Sequence, residues 1–280
     1  MNECIVCGST QAETFYQGLL KCRKCSHIFA DLKLTDEELF QLYSRNYFLG
    51  DEYSDYVADK RVIQKNFKLR LKTLRSFLDP NLHASLLEIG CAYGFFLEVA
   101  QTRFKRVLGI DITEDGVKYA SNILHLDAIH GDLLKYDFGE QKFDVVCMWD
   151  TIEHLRQPQL YIEKMSRHMA SGSLLAITTG DIASMNARLR QDKWRLIHPP
   201  THIHYFSKTT LAKLLNNYGF DVVYNRYCGF YRSIDNIAYN IFVLRQKQPH
   251  IYNWLKHVGL TNFDFYLNLY DIMYAIARKR

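Results

Sequence analysis

Four cysteines near the N-terminus stand as Cys4-x-x-Cys7 and Cys22-x-x-Cys25. Each pair can turn two thiolates onto one ion, and the stretch between the pairs suits a small β-hairpin. Zinc prefers four soft ligands in a tetrahedron, and a site closed by four cysteines leaves no position for chemistry. The expectation is therefore a structural zinc ribbon over residues 1–34. So short a segment buries too little apolar surface to fold alone, and the metal supplies the missing free energy. Residues 1–35 carry four basic and three acidic side chains, a near balance that speaks against a nucleic-acid surface. Cys91, Cys147 and Cys228 lie in apolar runs and read as packed thiols.

A second set of chemically able residues is a series of acids, each closing an apolar run. Glu88 precedes the loop Gly90-Cys91-Ala92-Tyr93-Gly94, Asp111 follows Gly109-Ile110, Asp132 follows Gly131, and Asp150 follows Met148-Trp149. The elements that must position them alternate. Strands are expected at 85–89, 106–110, 128–130, 143–149 and 174–178. Helices are expected at 94–102, 113–122 (capped by Thr113) and 159–169. This rhythm predicts a parallel sheet wrapped by helices, with ligands at the carboxyl ends of the strands.

The acids choose the ligand. A dinucleotide loop needs Gly-x-Gly-x-x-Gly so that backbone and a helix N-terminus can approach a diphosphate. Gly90 and Gly94 do not complete that loop, and Glu88 would repel a diphosphate. It suits S-adenosyl-L-methionine, which carries an ammonium and a sulfonium. Asp111 can accept from both ribose hydroxyls, with Ile112 beside it. Asp132 can accept from the adenine amino group, with Leu133 packed on the ring. Trp149 and Asp150 would close the donor site from the fourth strand. The competing reading makes Asp111 and Asp132 solvated turn acids.

The flanks are plainer. Thr35-Asp-Glu-Glu38 reads as a capping box that opens a helix. Ile63, Phe67, Leu71, Leu74 and Leu78 mark a long amphipathic helix stopped by Asp79-Pro80. The chain has 280 residues, 48% hydrophobic and 23% charged, which excludes wholesale disorder and a fibrous repeat. A net charge of +5 is too small to argue for nucleic acid. There is no apolar run long enough for a transmembrane helix and no secretory signal at the N-terminus, so the cytoplasm, with reduced thiols, is the expected location.

Residues 85–225 resemble a class I S-adenosylmethionine-dependent methyltransferase. The whole chain resembles the subgroup with an N-terminal zinc ribbon, a Tyr43-x-x-x-Tyr47-Phe48 segment and a Glu153-His154 pair after the fourth strand. The resemblance implies an α/β, Rossmann-like methyltransferase fold. Its sheet would be mostly parallel and seven-stranded, with helices on both faces. The expected domains are the ribbon at 1–34, a helical connecting region at 35–80 and the methyltransferase domain at 81–280. An aromatic-rich helical insertion at about 230–269 precedes the last strand and reads as a lid, a homodimer contact, a pocket wall or extra core packing. The resemblance also implies a small-molecule acceptor, with O-methylation of a sugar, nucleotide-sugar or quinone-like compound foremost.

For a hydroxyl acceptor a base must remove a proton, and neutral imidazole suits the task. His154, with Glu153 beside it, leads. His204 is second, preferred to His202, from a segment running from Trp194 to Ser207 that the resemblance places against the acceptor. A divalent metal on the acids and His154, or on the three histidines around Pro199-Pro200, is a weaker reading. Arg188, Arg190, Lys193 and Arg195 would suit an acceptor phosphate or carboxylate. Two other functions stay open, an RNA methyltransferase and a non-catalytic S-adenosylmethionine-binding protein. The first lacks an Asn/Asp-Pro-Pro-aromatic motif after strand four.

Overall fold

The computed structural model describes residues 3–35, 37–39, 42 and 56–280. The Tyr43, Tyr47 and Phe48 segment lies outside the described residues. Three short N-terminal strands, β1 (Ala12–Tyr16), β2 (Leu19–Cys22) and β3 (Ile28–Ala30), form a meander between and beyond the cysteine pairs. The capping box is present: Glu38 N–H donates to Thr35 Oγ1 at 3.2 Å, and Thr35 N–H to Glu38 Oε2 at 2.8 Å. Helix α1 (Lys60–Arg75) turns Val62, Leu71 and Leu74 inward, the face its apolar spacing requires. Arg70 is buried on the same helix, and no hydrophobic pattern announces it.

The core alternates as the sequence reading anticipates. In chain order come β4 (Ser85–Ile89), α2 (Phe95–Ala100), β5 (Arg106–Asp111), α3 (Glu114–Asn122), β6 (Ala128–His130), β7 (Val145–Trp149), α4 (Pro158–Arg167) and β8 (Leu174–Gly180). After a two-residue strand β9 (His204–Tyr205) follow β10 (Phe220–Tyr227) and the hairpin strands β11 (Phe230–Ser233) and β12 (Asp264–Leu267). The last strand is β13 (Ile272–Lys279). The main sheet has seven strands in the order β10-β13-β8-β7-β4-β5-β6, with β13 antiparallel to both neighbours and the rest parallel.

Every residue of β4 and β7 is buried, which is why these strands read as unbroken apolar runs and not as alternating ones. Chain order reverses between β4 and β7, and open α/β sheets bind ligands outside the carboxyl ends of the strands at such a switch point. Thr113 precedes α3 as expected but does not cap it, because its hydroxyl donates to Asp111 instead.

Two joints were not legible in the sequence. The N-terminal meander does not stand apart, because β3 pairs with β9 and extends the small sheet to β1-β2-β3-β9. The 230–269 insertion is a β11–β12 hairpin with helical segments between its strands. It is fastened to α1 by Asp264, which accepts from Arg61 at 2.6 and 2.8 Å, and by Asn66, which exchanges hydrogen bonds with the Tyr231 backbone. No helix among the described residues is long and apolar enough to cross a membrane.

Candidate functional site

The loop from Gly90 to Gly94 is built on left-handed backbone, with φ of +78° at Gly90, +45° at Ala92 and +75° at Gly94. A Cβ at Gly90 would stand 2.6 Å from Thr151 Oγ1, so the loops after β4 and β7 meet only because this residue is glycine. Asp111 holds the loop from the neighbouring strand. Its Oδ2 accepts from Ala92 N–H at 2.8 Å, while Oδ1 accepts from Thr113 N–H at 2.8 Å and the Thr113 hydroxyl at 2.5 Å. Burial pushes the Asp111 carboxyl up, and these donors pull it back. The residue is a brace for the glycine loop as well as a candidate ribose contact. Cys91 and Tyr93 are buried in the loop, Tyr93 between the rings of Tyr56 and Tyr119.

The other acids fall differently from expectation. Glu88 is not on a rim. It is 2% exposed, its Oε2 has no hydrogen-bond partner among the described residues, and burial next to Asp111 pushes its carboxyl well up. Asp132 accepts at Oδ1 from Leu134 N–H and from the Tyr161 hydroxyl at 2.7 Å. Leu133 is buried in the main apolar cluster, and the half-buried Ile112 follows Asp111. Trp149 is packed between Phe96 and Tyr274. Asp150 follows it with φ of +50°, its N–H donated to the Thr178 carbonyl.

Across Thr151 a short turn (Ile152–His154) carries Glu153, which is buried, and His154, which is half-buried. The Nδ1–H of His154 donates to the Thr201 carbonyl at 2.9 Å, which leaves the lone pair on Nε2. The His202 ring lies 4.6 Å from that of His154 and 3.8 Å from that of His198. Ligand atoms of Glu153, His154 and His202 lie within 4.8 Å of one another, a set able to hold a metal ion. Burial pushes His154 down to about 4 and pushes the Glu153 carboxyl up, the latter helped by Asp150.

The structure brings His202 to this cluster and takes His204 away from it. His204 is 1% exposed, with Nδ1 3.1 Å from His27 Nε2 and Nε2 3.2 Å from the Arg156 carbonyl. It joins the N-terminal meander to the core. Two-residue alternation puts 202 and 204 on one side only along a straight strand, and β9 begins at 204. Trp194 and Arg195 also serve the fold, both donating to Asp271 at 3.0 Å.

Among the cysteines, Cys4 Sγ lies 3.5 Å from Cys25 Sγ, and Cys7 Sγ 3.5 Å from Cys22 Sγ. All four are free thiols within 4.8 Å of one another. A tetrahedron with zinc–sulfur bonds of about 2.3 Å has sulfur–sulfur edges of about 3.8 Å, so the donor set fits that ion.

The family described as a methyltransferase domain matches residues 60–225. The chain belongs to that family. The methyltransferase-domain match begins with α1 and ends in β10, so it includes the glycine loop and the Ile152–His154 turn but not Cys4, Cys7, Cys22 and Cys25. The (S)-tetrahydroprotoberberine N-methyltransferase of Eschscholzia californica is 26% identical over 140 residues, 45% of this chain and 40% of that protein. A ubiquinone biosynthesis O-methyltransferase of Maricaulis maris is 30% identical over 102 residues, 34% of this chain and 39% of that protein. The chain thus spans about two fifths of the length of these curated relatives. Among solved structures, the N-methyltransferase NodS of Bradyrhizobium japonicum, bound to S-adenosyl-L-homocysteine, shares the fold. Its TM-score is 0.54 and its identity 18%, over 86% of this chain and 98% of that one.

Proposed function

We propose that the protein transfers a methyl group from S-adenosyl-L-methionine to a hydroxyl of a small-molecule acceptor, with His154 as the base and a structural zinc ion on Cys4, Cys7, Cys22 and Cys25. The observation that carries this reading is the contact of the Asp111-braced glycine loop with Thr151, three residues before His154. A donor on that loop lies next to a neutral imidazole whose tautomer is fixed. The sulfonium already activates the methyl carbon, so the protein has to align the acceptor and take its proton. Family membership and the N- and O-methyltransferase relatives support methyl transfer.

The donor half is tested by calorimetry with S-adenosylhomocysteine. Asp111→Ala removes a charged acceptor of two ribose hydrogen bonds and the brace on Ala92. The expected loss is about 2–3 kcal/mol, or about 30- to 150-fold in affinity. Asp111→Asn, which keeps one acceptor oxygen, should lose less. Unchanged affinity in Asp111→Ala would remove the assignment. The acceptor half is tested by methyl transfer from labelled donor to a panel of phenols, sugar alcohols and amines.

A further inference from the structure

The insertion between β10 and β13 carries more than half of the large apolar side chains that the described residues expose. Trp254, Leu260 and Phe263 are 59%, 52% and 61% exposed, and Ile241, Leu244 and Val258 are exposed as well. Single exposed apolar residues are ordinary, but such a concentration in one small unit marks a contact surface. The unit spends its inward side on itself and on α1. Tyr252 is buried with its ring 5.4 Å from that of Tyr239, so the helix Pro249–His257 turns this side to the segment Tyr239–Arg245. Trp254 stands about 200° further round that helix, and Val258 one turn beyond Trp254. Gly259, with φ of +75°, ends the helix, and Leu260 and Phe263 follow before β12.

The charge on this unit has one sign. From Asn236 to Phe263 the chain has no Asp or Glu. The same stretch holds Arg245, Lys247 and Lys256 together with His250 and His257, all exposed. Lys256 faces Asp235 at 3.7 Å, whereas Arg245 and Lys247 form no ion pair among the described residues. A surface that is aliphatic, aromatic and cationic at once complements a partner that is apolar and anionic. An anionic bilayer is both: its acyl boundary takes the apolar side chains, its headgroups take the cations, and an indole suits the border between them. A second copy of the chain fits less well, because a two-fold contact would set these cations against themselves. Nucleic acid would satisfy the cations and leave the aliphatic side chains without a partner.

We propose that the insertion docks on an anionic lipid bilayer, with Trp254, Leu260 and Phe263 in the interface and Arg245 and Lys247 against the headgroups. The docking stands apart from the methyl-transfer reading, since none of these residues belongs to that site.

Full-length protein is sedimented with vesicles of phosphatidylcholine and, separately, of phosphatidylcholine containing about a quarter phosphatidylserine. Binding to the second should be at least tenfold tighter than to the first and should weaken as salt rises. Trp149 and Trp194 are buried, so brominated acyl chains should quench the fluorescence of Trp254, and the quenching should vanish in Trp254→Phe. Arg245→Glu combined with Lys247→Glu should weaken binding at least tenfold with an unchanged circular dichroism spectrum. No binding to either vesicle, equal binding to both, or full binding by the double variant overturns the inference. So does a dimer in lipid-free solution that Trp254→Ser separates while vesicles are ignored, which would give the surface to a second copy.

Discussion

Replacing His154 by alanine should lower turnover by about 10²- to 10⁴-fold with a hydroxyl acceptor, the usual worth of a positioned base. Donor-product affinity should stay within about threefold of wild type, since His154 acts on the acceptor's proton and not on the loop braced by Asp111. The pH profile gives a second readout. Burial depresses His154 to about 4. A base with a depressed pKa is neutral, and competent, at any pH above that value. The rate should therefore stay level through pH 6.5, where an unperturbed histidine would show its limb, and fall only toward pH 4. An amine acceptor gives a different pattern, because its neutral lone pair attacks the methyl before the proton leaves. If His154→Ala keeps more than a tenth of wild-type turnover on every hydroxyl acceptor tried, the base assignment is wrong.

The parts of this site written in the sequence are those made by a strand end. Asp111, Asp132 and Asp150 each follow an apolar run, Glu88 stands one residue before the end of its own, and in a parallel sheet all such ends point to one edge. The order of the strands then follows from connections that wind one way from β4 and return the other. What could not be read depends on which chain distant in sequence packs where. The depth of Glu88 is not visible in the sequence; Leu87 and Ile89 flank it in a strand whose residues are all buried. Where β9 begins, which the sequence does not show, turns His204 toward His27 and leaves His202 beside His154. Arg70 was hidden within the amphipathic stripe of α1, on a face that a periodicity argument assigns to the core. Only the insertion packed over that helix shows that a cation can be held there, against Phe230.

The joint between meander and core makes zinc removal the most disruptive perturbation expected. A four-cysteine zinc site contributes on the order of 10–16 kcal/mol at neutral pH, more than so small a meander can replace by burial. Stripping the metal, or Cys22→Ser, should therefore unfold residues 3–30, seen as loss of amide exchange protection in β1, β2 and β3. The damage should travel further along one hydrogen-bonded line. Ala30 N–H donates to the Ile203 carbonyl at 2.8 Å, and Ile203 N–H to the Glu153 carbonyl at 2.8 Å, so the last ribbon strand is tied to the turn that carries His154. His27 beside Cys25 reaches His204 on the same strand pair. Protection around 201–205 should fall with the ribbon, and acceptor KM should rise at least tenfold. The glycine loop hangs from β4 and β5 on the other side of the switch point, so S-adenosylhomocysteine affinity should change less than threefold. The measurement begins with elemental analysis, where one zinc per chain is expected. A chain without zinc, or a stripped chain whose first three strands stay protected, would make the four thiols mere neighbours and leave the β3–β9 pairing to hold the meander alone.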